Sequence, residues 1–248
     1  MNYIISLSGK KSSGKNTVAK FIRSYFAKNV YKTDVDRCTS EFSFADELKE
    51  FCINVLGLRK EQCYGNEEDK NTLTNYSWEI APSFLRWKFD ERNTKLILDL
   101  TLKSKMTSDD LKHYYYRQVS LESGFHKTGL MTAREIMKIF GTDLIRDTFG
   151  NIWAESTIRR ISRYNFPVSL ITDNRFPSEV STVLREPKGF VIRLTRYIHT
   201  DDIHDSEIAL DNFNWDKNRC FVLDNSSMTE EQQNTSLIPI INSIINYK

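Results

Sequence analysis

The chain has 248 residues, enough to bury a sizeable core as one α/β domain with an insertion or as two small domains. Charged residues make up 27% and the formal net charge is +2, a balance that speaks against general nucleic-acid binding or a membrane-surface role and suits a small anionic substrate. No apolar stretch reaches the roughly 18 residues of a membrane span, the opening apolar run lacks the length and basic flank of a signal peptide, and Cys38, Cys52, Cys63 and Cys220 form no CxxC pair, so free thiols in a reducing cytosol are expected and a zinc site is not.

In chain order, Tyr3–Ser8 is short, apolar and β-rich and predicts a buried strand. Gly9-Lys10-Lys11-Ser12-Ser13-Gly14-Lys15-Asn16-Thr17 follows and opens a helical pattern over 15–28, with Val18, Phe21, Ile22 and Tyr25 at helical spacing. Strand, glycine-framed loop, lysine and helix together are the setting of a phosphate-binding loop. Two glycines let the backbone curl so that successive N–H groups point inward, and the helix adds its positive end. Lys15 would then reach the outer phosphates. The hydroxyl usual directly after the lysine is replaced by Asn16 and comes one residue later, at Thr17.

Glu41–Phe44 reads as a second strand or an extended entry leading into a helix, Ala45–Leu56, with Leu48, Phe51, Cys52 and Val55 on one face and Gly57 as its stop. From about residue 59 to 130 the pattern weakens, and this stretch reads as an insertion beside the sheet, a candidate substrate or lid subdomain. Within it Glu67–Asn71 is a charged turn or helix start, Lys95–Leu102 is strand or helix, and Lys112–Val119 alternates poorly. Regularity returns with Thr132-Ala133-Arg134-Glu135, at capping-box spacing. Gly141 interrupts, and a second helical pattern runs from Thr142 to Arg163 with a break near Gly150. Pro167–Thr172 predicts a buried strand ending in Asp173, Pro177–Arg185 a crossover helix, Gly189–Thr195 a strand, Thr200–Arg219 a loop and Cys220–Leu223 a last strand. Thr229 caps a final helix that Pro239 should interrupt, with Ile240, Ile241, Ile244 and Ile245 on its apolar face. Strands separated by helices give an α/β fold, a parallel sheet with helices on both faces and ligands at the carboxyl ends of the strands.

Four further clusters could carry chemistry. Phe44-Ala45-Asp46-Glu47-Leu48-Lys49 offers a helix start and a lysine for a second phosphate, or simply an amphipathic helix. Arg134, Lys138 and Arg146 surround Gly141-Thr142-Asp143, and arginine forks suit phosphate oxygens; solvated charges on a surface helix pair are the alternative. Trp153 either stacks on a base or packs in the core. Asp173-Asn174-Arg175 stands at a strand end, where an Asp orients magnesium through water, holds a substrate hydroxyl, or caps a turn. Arg193 and Arg196 flank another strand end and could close over a triphosphate. His204-Asp205-Ser206-Glu207 reads as a loop organiser, since His204 and Glu207 lack a third metal partner. No GxSxG elbow or nucleophilic cysteine setting supports a hydrolase. One polyphosphate loop plus several separate cations is what phosphoryl transfer requires.

The ordered set GKKSSGKNT, FSFADELKE, YGNEEDKNTLT, TAREIMKIFGTDLIRDTFGNIW, ITDNRFPSEV, VIRLTR and HDSE, spanning residues 9 to 207, resembles the phage-type deoxynucleoside monophosphate kinases, members of the phosphate-loop nucleoside monophosphate kinase group. The resemblance implies transfer of the terminal phosphoryl of ATP to a deoxynucleoside 5′-monophosphate, with Mg2+ as cofactor. It implies ATP binding by Gly9, Lys10, Ser12, Ser13, Gly14, Lys15, Asn16 and Thr17, with Arg196 and the His204 loop over the nucleotide. It places Phe44, Ala45, Lys49, Lys70, Arg134, Gly141, Thr142, Asp143, Arg146 and Trp153 on the acceptor side, and Lys15, Arg134, Asp173 and Arg175 at the reacting centre. Thr17 would meet either the magnesium, through water, or a phosphate oxygen. The partners are ATP and the monophosphate, without a nucleic-acid polymer or membrane; the sequence fixes no oligomeric state and leaves a homodimer open. The expected location is the cytoplasm, the host's for a viral gene. Two other readings stay open: a small-molecule kinase with a different acceptor, such as dephospho-coenzyme A, and a non-catalytic nucleotide-dependent binding protein in which Arg134, Arg146 and Arg175 do not converge; the near-neutral charge and lack of a basic–aromatic stripe argue against a third, a polynucleotide 5′-end kinase.

Overall fold

The structure is a computed structural model and describes residues 2–78, 129–139, 141, 150–196, 208–215 and 218–247. Its elements follow in the order β1 (Tyr3–Ser8), α1 (Lys15–Tyr25), a π-helical turn (Phe26–Tyr31), α2 (Val35–Cys38), β2 (Thr39–Phe42), α3 (Phe44–Asn54), α4 (Lys60–Tyr64), α5 (Glu67–Lys70), β3 (Leu73–Ser77), β4 (Leu130–Thr132), α6 (Ala133–Lys138), α7 (Ile152–Tyr164), β5 (Val168–Asn174), α8 (Pro177–Arg185), β6 (Gly189–Leu194), β7 (Cys220–Leu223) and α9 (Glu230–Ile245).

The chain divides into two compact units, Met1–Phe44 with Thr157–Lys248, and Ala45–Ser156. The first contains a five-stranded sheet in the order β2-β5-β1-β6-β7, with every neighbouring pair parallel. From β1 the chain travels to the edge strand β2, returns to β5, and then crosses β1 to β6 and β7. The direction of travel therefore reverses beside β1, and a sheet of this kind opens its ligand crevice at the carboxyl ends of the strands there. Side chains alternate between faces along each strand. Tyr3, Ile5, Leu7, Leu170, Phe190 and Ile192 meet Val18, Ile22 and Phe26 from the first helix and Leu237, Ile241 and Ile244 from α9 in one core. On the opposite face α8 comes so close to β6 that a Cβ on Gly189 would collide with the Val183 carbonyl, and Val180 and Val183 are fully buried. This is the expected parallel α/β fold, helices on both faces.

The second unit has a core of its own, in which Phe51, Cys52, Leu56, Cys63, Ile136 and Trp153 are all buried. β3 and β4 pair antiparallel. The insertion expected at about 59–130 falls inside this unit, which begins earlier, at Ala45, and ends later, at Ser156. Residues 79–128, including the stretches Lys95–Leu102 and Lys112–Val119, lie outside the described residues.

Local signals set most boundaries. Thr132 caps α6 by accepting from the Glu135 amide, and Glu135 accepts in return from the Thr132 amide at 2.9 Å. Thr229 and Gln232 cap α9 in the same way. Three expectations are corrected. The strand expected at 41–44 ends at Phe42, because Ser43 and Phe44 turn to bond Asp173 and begin α3. The first helix runs on past residue 28 through a π turn, which Lys32 stops in the left-handed region. Pro239 does not interrupt α9. Proline removes the amide that the Thr235 carbonyl would have accepted from; Thr235 and Pro239 lie on the exposed side of the helix, where water replaces it.

Candidate active site

The phosphate loop joins the central strand to α1 at the carboxyl edge of the sheet. Gly9 has φ +156°, Ser12 +62° and Gly14 +95°, so three of its backbone units turn through conformations that favour residues without a Cβ or with a short polar side chain. A Cβ on Gly9 would also run into Ser13 Oγ. Lys15 opens α1, and its ammonium donates to the carbonyls of Gly9 (2.6 Å) and Lys10 (2.7 Å), so it lies back across the loop. The Ser13 amide donates to the Lys10 carbonyl at 3.2 Å, and Val18 N–H to Gly14 at 3.0 Å. Ser13 Oγ is buried with no hydrogen-bond partner among the described residues. Asn16 is exposed and Thr17 half-buried, both in the first turn of α1. The eleven-residue helix directs its positive end at the loop. Lys10 forms an ion pair with Asp211 at 2.9 Å.

The loop is braced from behind by the segment after β7. Asn225 is fully buried; its amide nitrogen donates to the Ser13 carbonyl (2.9 Å) and to Gln233 Oε1 (2.6 Å), and its Oδ1 accepts from the Arg196 amide (2.9 Å). The Arg196 guanidinium donates to the carbonyls of Asn225 (2.9 Å) and Met228 (2.5 Å). Arg196, expected to cover the nucleotide, is thus placed as the tie that shapes this brace. Neighbouring Asp224 accepts from the Ser226 hydroxyl, from Thr195 and from the Ser226 amide, and these donors lower its carboxyl to about 2. Asn225 and Gln233 escaped the sequence reading. The signal that points to them is positional: Asp224-Asn225-Ser226 directly follows a strand at the same carboxyl edge as the loop.

Asp173 is the penultimate residue of β5 and binds the start of α3. Its Oδ1 accepts from the Phe44 amide at 2.7 Å and its Oδ2 from the Ser43 hydroxyl at 2.5 Å. A carboxylate at a helix start satisfies one of the amides left without an intrahelical acceptor. Arg175 gives its backbone amide to Glu179 Oε2 at 2.7 Å, where Glu179 closes the first turn of α8.

In the second unit, Lys49 lies 4.6 Å from the centre of the Tyr64 ring and 3.7 Å from Asp46. Arg134 donates to Glu67 Oε2 at 2.6 Å and to Asn71 Oδ1 at 3.2 Å, with its side chain 43% exposed. Lys70 stands on the same short helix as Glu67 and is half-buried. The structure therefore brings Arg134 to the helix that carries Lys70. Trp153 is a core residue: it is 4% exposed, packs on Phe51, and gives its ring N–H to the Gly141 carbonyl at 3.1 Å. Of the two fates open to this tryptophan, core packing is the one found, and its ring N–H holds Gly141. Gly141 itself is approached closely by α3, since a Cβ there would strike Leu48. Thr142, Asp143, Arg146 and the loop of His204 lie outside the described residues.

All four cysteines are free thiols. Burial raises the Cys38, Cys52 and Cys63 thiols, Cys52 most. Among the described residues no group of three His, Cys, Asp or Glu side chains could hold a metal ion, and no helix is long and apolar enough to cross a membrane.

The family profile described as deoxynucleotide monophosphate kinase matches residues 3–234. A protein of Acanthamoeba polyphaga mimivirus, provisionally named a deoxynucleotide monophosphate kinase, is 26% identical over 243 residues, covering 92% of this chain and 91% of its own. The deoxynucleoside-5′-monophosphate kinase of Escherichia phage T5 is 25% identical over 209 residues, covering 82% of this chain and 76% of its own. The matched span includes the phosphate loop, its brace at Asn225 and Gln233, Asp173 with its helix, and the Arg134 region; the chain belongs to the deoxynucleotide monophosphate kinase family.

Proposed function

We propose that this protein transfers the terminal phosphoryl group of ATP to a deoxynucleoside 5′-monophosphate, releasing ADP and the deoxynucleoside diphosphate. An oxygen of the acceptor phosphate forms the new P–O bond while the bridge between the β- and γ-phosphates breaks and its electron pair leaves with ADP. The acceptor oxygen is already anionic near neutral pH, so no side chain is needed as a base. What is needed is to hold two mutually repelling anions in line and to stabilise the charge on the moving group.

The observation that carries the reading is Lys15. Its ammonium lies across a left-turning glycine loop at the carboxyl end of the central strand, bonded to two carbonyls. Exchanging those carbonyls for β- and γ-phosphate oxygens keeps its charge satisfied through binding and transfer. Lys49, Lys70 and Arg134 take the acceptor phosphate in this reading. Asp173 acts as a positioning residue, by fixing the start of α3 through Ser43 and Phe44, and Arg175 adds a cation two residues on. Mg2+ suits the donors present: with no cluster of three metal-ligating side chains among the described residues, the ion would be held by phosphate oxygens and water, as it prefers, with Thr17 as its protein partner through water. When bound, it neutralises charge on the triphosphate. Four reduced cysteines suit a cytoplasmic location.

The test is ADP release, coupled to NADH oxidation, with ATP and each deoxynucleoside monophosphate in turn, alongside dephospho-coenzyme A and a 5′-hydroxyl oligonucleotide. Release is expected with at least one deoxynucleoside monophosphate and at background with the other two acceptors. Background rates with every deoxynucleoside monophosphate would rule the reading out.

A further inference from the structure

In the first unit, the Asp211 carboxylate ties the segment from Ile208 to Trp215 to the phosphate loop. Leu210 is 2% exposed and anchors the segment. Asp211 Oδ2 lies 2.9 Å from Lys10 Nζ, and its Oδ1 lies 3.5 Å from Arg193 Nη2. Lys10 is the second residue of the loop. Arg193 stands opposite Ser8, the last residue of β1, and donates to its hydroxyl at 3.0 Å. The Arg193 guanidinium lies over the Trp215 ring, 5.5 Å from its centre, and Phe213 packs edge-on to Trp215 at 4.7 Å. Asp211 thus holds two cations, one on the loop and one beside its first residue.

A carboxylate and a phosphate oxygen are acceptors of the same kind, and ammonium and guanidinium groups take either. A triphosphate brings several negative charges to the loop, and a carboxylate bound to that loop's own lysine then becomes a like charge at short range. The arrangement found here cannot persist at full strength in both states. We propose that Asp211 is an internal counter-ion for Lys10 and Arg193 that the nucleotide's phosphates displace, loosening the segment 208–215 as they bind. This deepens the kinase reading and rests on it. Asp211 lowers the affinity for nucleotide, so removing its charge tightens binding. A carboxylate that only anchored its segment would act in the opposite direction, since losing it would leave binding unchanged or weaker.

Isothermal titration of the wild-type chain, Asp211→Asn and Asp211→Glu with ATP and with inorganic tripolyphosphate separates these outcomes. Asp211→Asn is expected to bind both ligands roughly two- to fivefold more tightly, the range that part-exposed charge pairs support. Asp211→Glu should stay within about twofold of wild type. In the unsubstituted chain, amide hydrogen exchange over residues 208–215 should quicken when tripolyphosphate is added. Unchanged or weaker binding by Asp211→Asn overturns the proposal and leaves the kinase reading standing, as does slowed or unaltered exchange over 208–215. A wild-type chain that binds neither ligand overturns both.

Discussion

Replacing Asn225 by alanine should disable the phosphate loop without touching it. The Asn225 side chain is fully buried and makes three hydrogen bonds, two donated to Ser13 and Gln233 and one accepted from Arg196. Alanine leaves three partners unpaired. A buried polar group that loses its partner costs about 1–3 kcal/mol, so three such groups put the expected loss at about 3 kcal/mol or more. That is a large part of the ~5–15 kcal/mol that holds a domain folded. The Ser13 carbonyl also fixes the peptide leading into Gly14 and Lys15, so its release should raise KM for ATP more than KM for the monophosphate. Urea denaturation read by circular dichroism gives the first quantity, and initial rates give the second. Gln233→Ala supplies the control: because Asn225 and Gln233 share a bond, the double variant should lose less than the sum of the two single losses. Strictly additive losses, or an Asn225→Ala loss under about 0.5 kcal/mol with unchanged KM for ATP, would refute the brace.

Other expectations concern protons and thiols. Asp224 has its carboxyl lowered to about 2 by its Ser226 and Thr195 donors. It therefore favours the folded state above the ordinary carboxylate pKa of roughly 3.9, and that contribution fades as pH falls from there toward 2. Thr195→Ala should raise the Asp224 titration midpoint in a carboxyl-detected NMR series, and an unmoved midpoint would remove the assigned cause. Cys38, Cys52 and Cys63 are buried with raised thiols, whereas Cys220 is half-buried. Iodoacetamide at pH 8 should modify Cys220 first and the other three only on unfolding, as peptide mass spectrometry would show; early labelling of Cys52 would contradict the second unit's core.

The parts of this chain that were legible in its sequence are those whose causes are local. Thr132 with Glu135, Thr229 with Gln232 and the Gly9–Lys15 loop each declare themselves within a few residues, and the structure has them where the spacing puts them. The strands Tyr3–Ser8 and Cys220–Leu223 and the helix Pro177–Arg185 likewise match residue for residue. What was hidden depends on distant partners. Asn225 reaches Ser13 across 212 positions, and Asp173 finds Ser43 across 130; neither pairing leaves a trace in local pattern. Trp153 illustrates the same limit differently. Base stacking and core packing want the same residue type, and only the surrounding apolar side chains and the Gly141 carbonyl decide for the core. Pro239 misled because a proline's cost depends on which carbonyl it deprives, and here that carbonyl is on the wet side of α9.

If Lys15 holds the transferring phosphoryl group, Lys15→Ala should differ from wild type in the coupled ADP-release assay in turnover far more than in folding. Lys15 is half-buried and donates to the loop carbonyls of Gly9 and Lys10, so the substitution should cost no more than about 1–3 kcal/mol of stability, the scale for acceptors that lose a donor. It should lower turnover at saturating ATP and deoxynucleoside monophosphate by on the order of a hundredfold or more, the scale for losing one charge-stabilising donor in a transition state. A folded Lys15→Ala chain that phosphorylates deoxynucleoside monophosphates at the wild-type rate would rule out that role for Lys15.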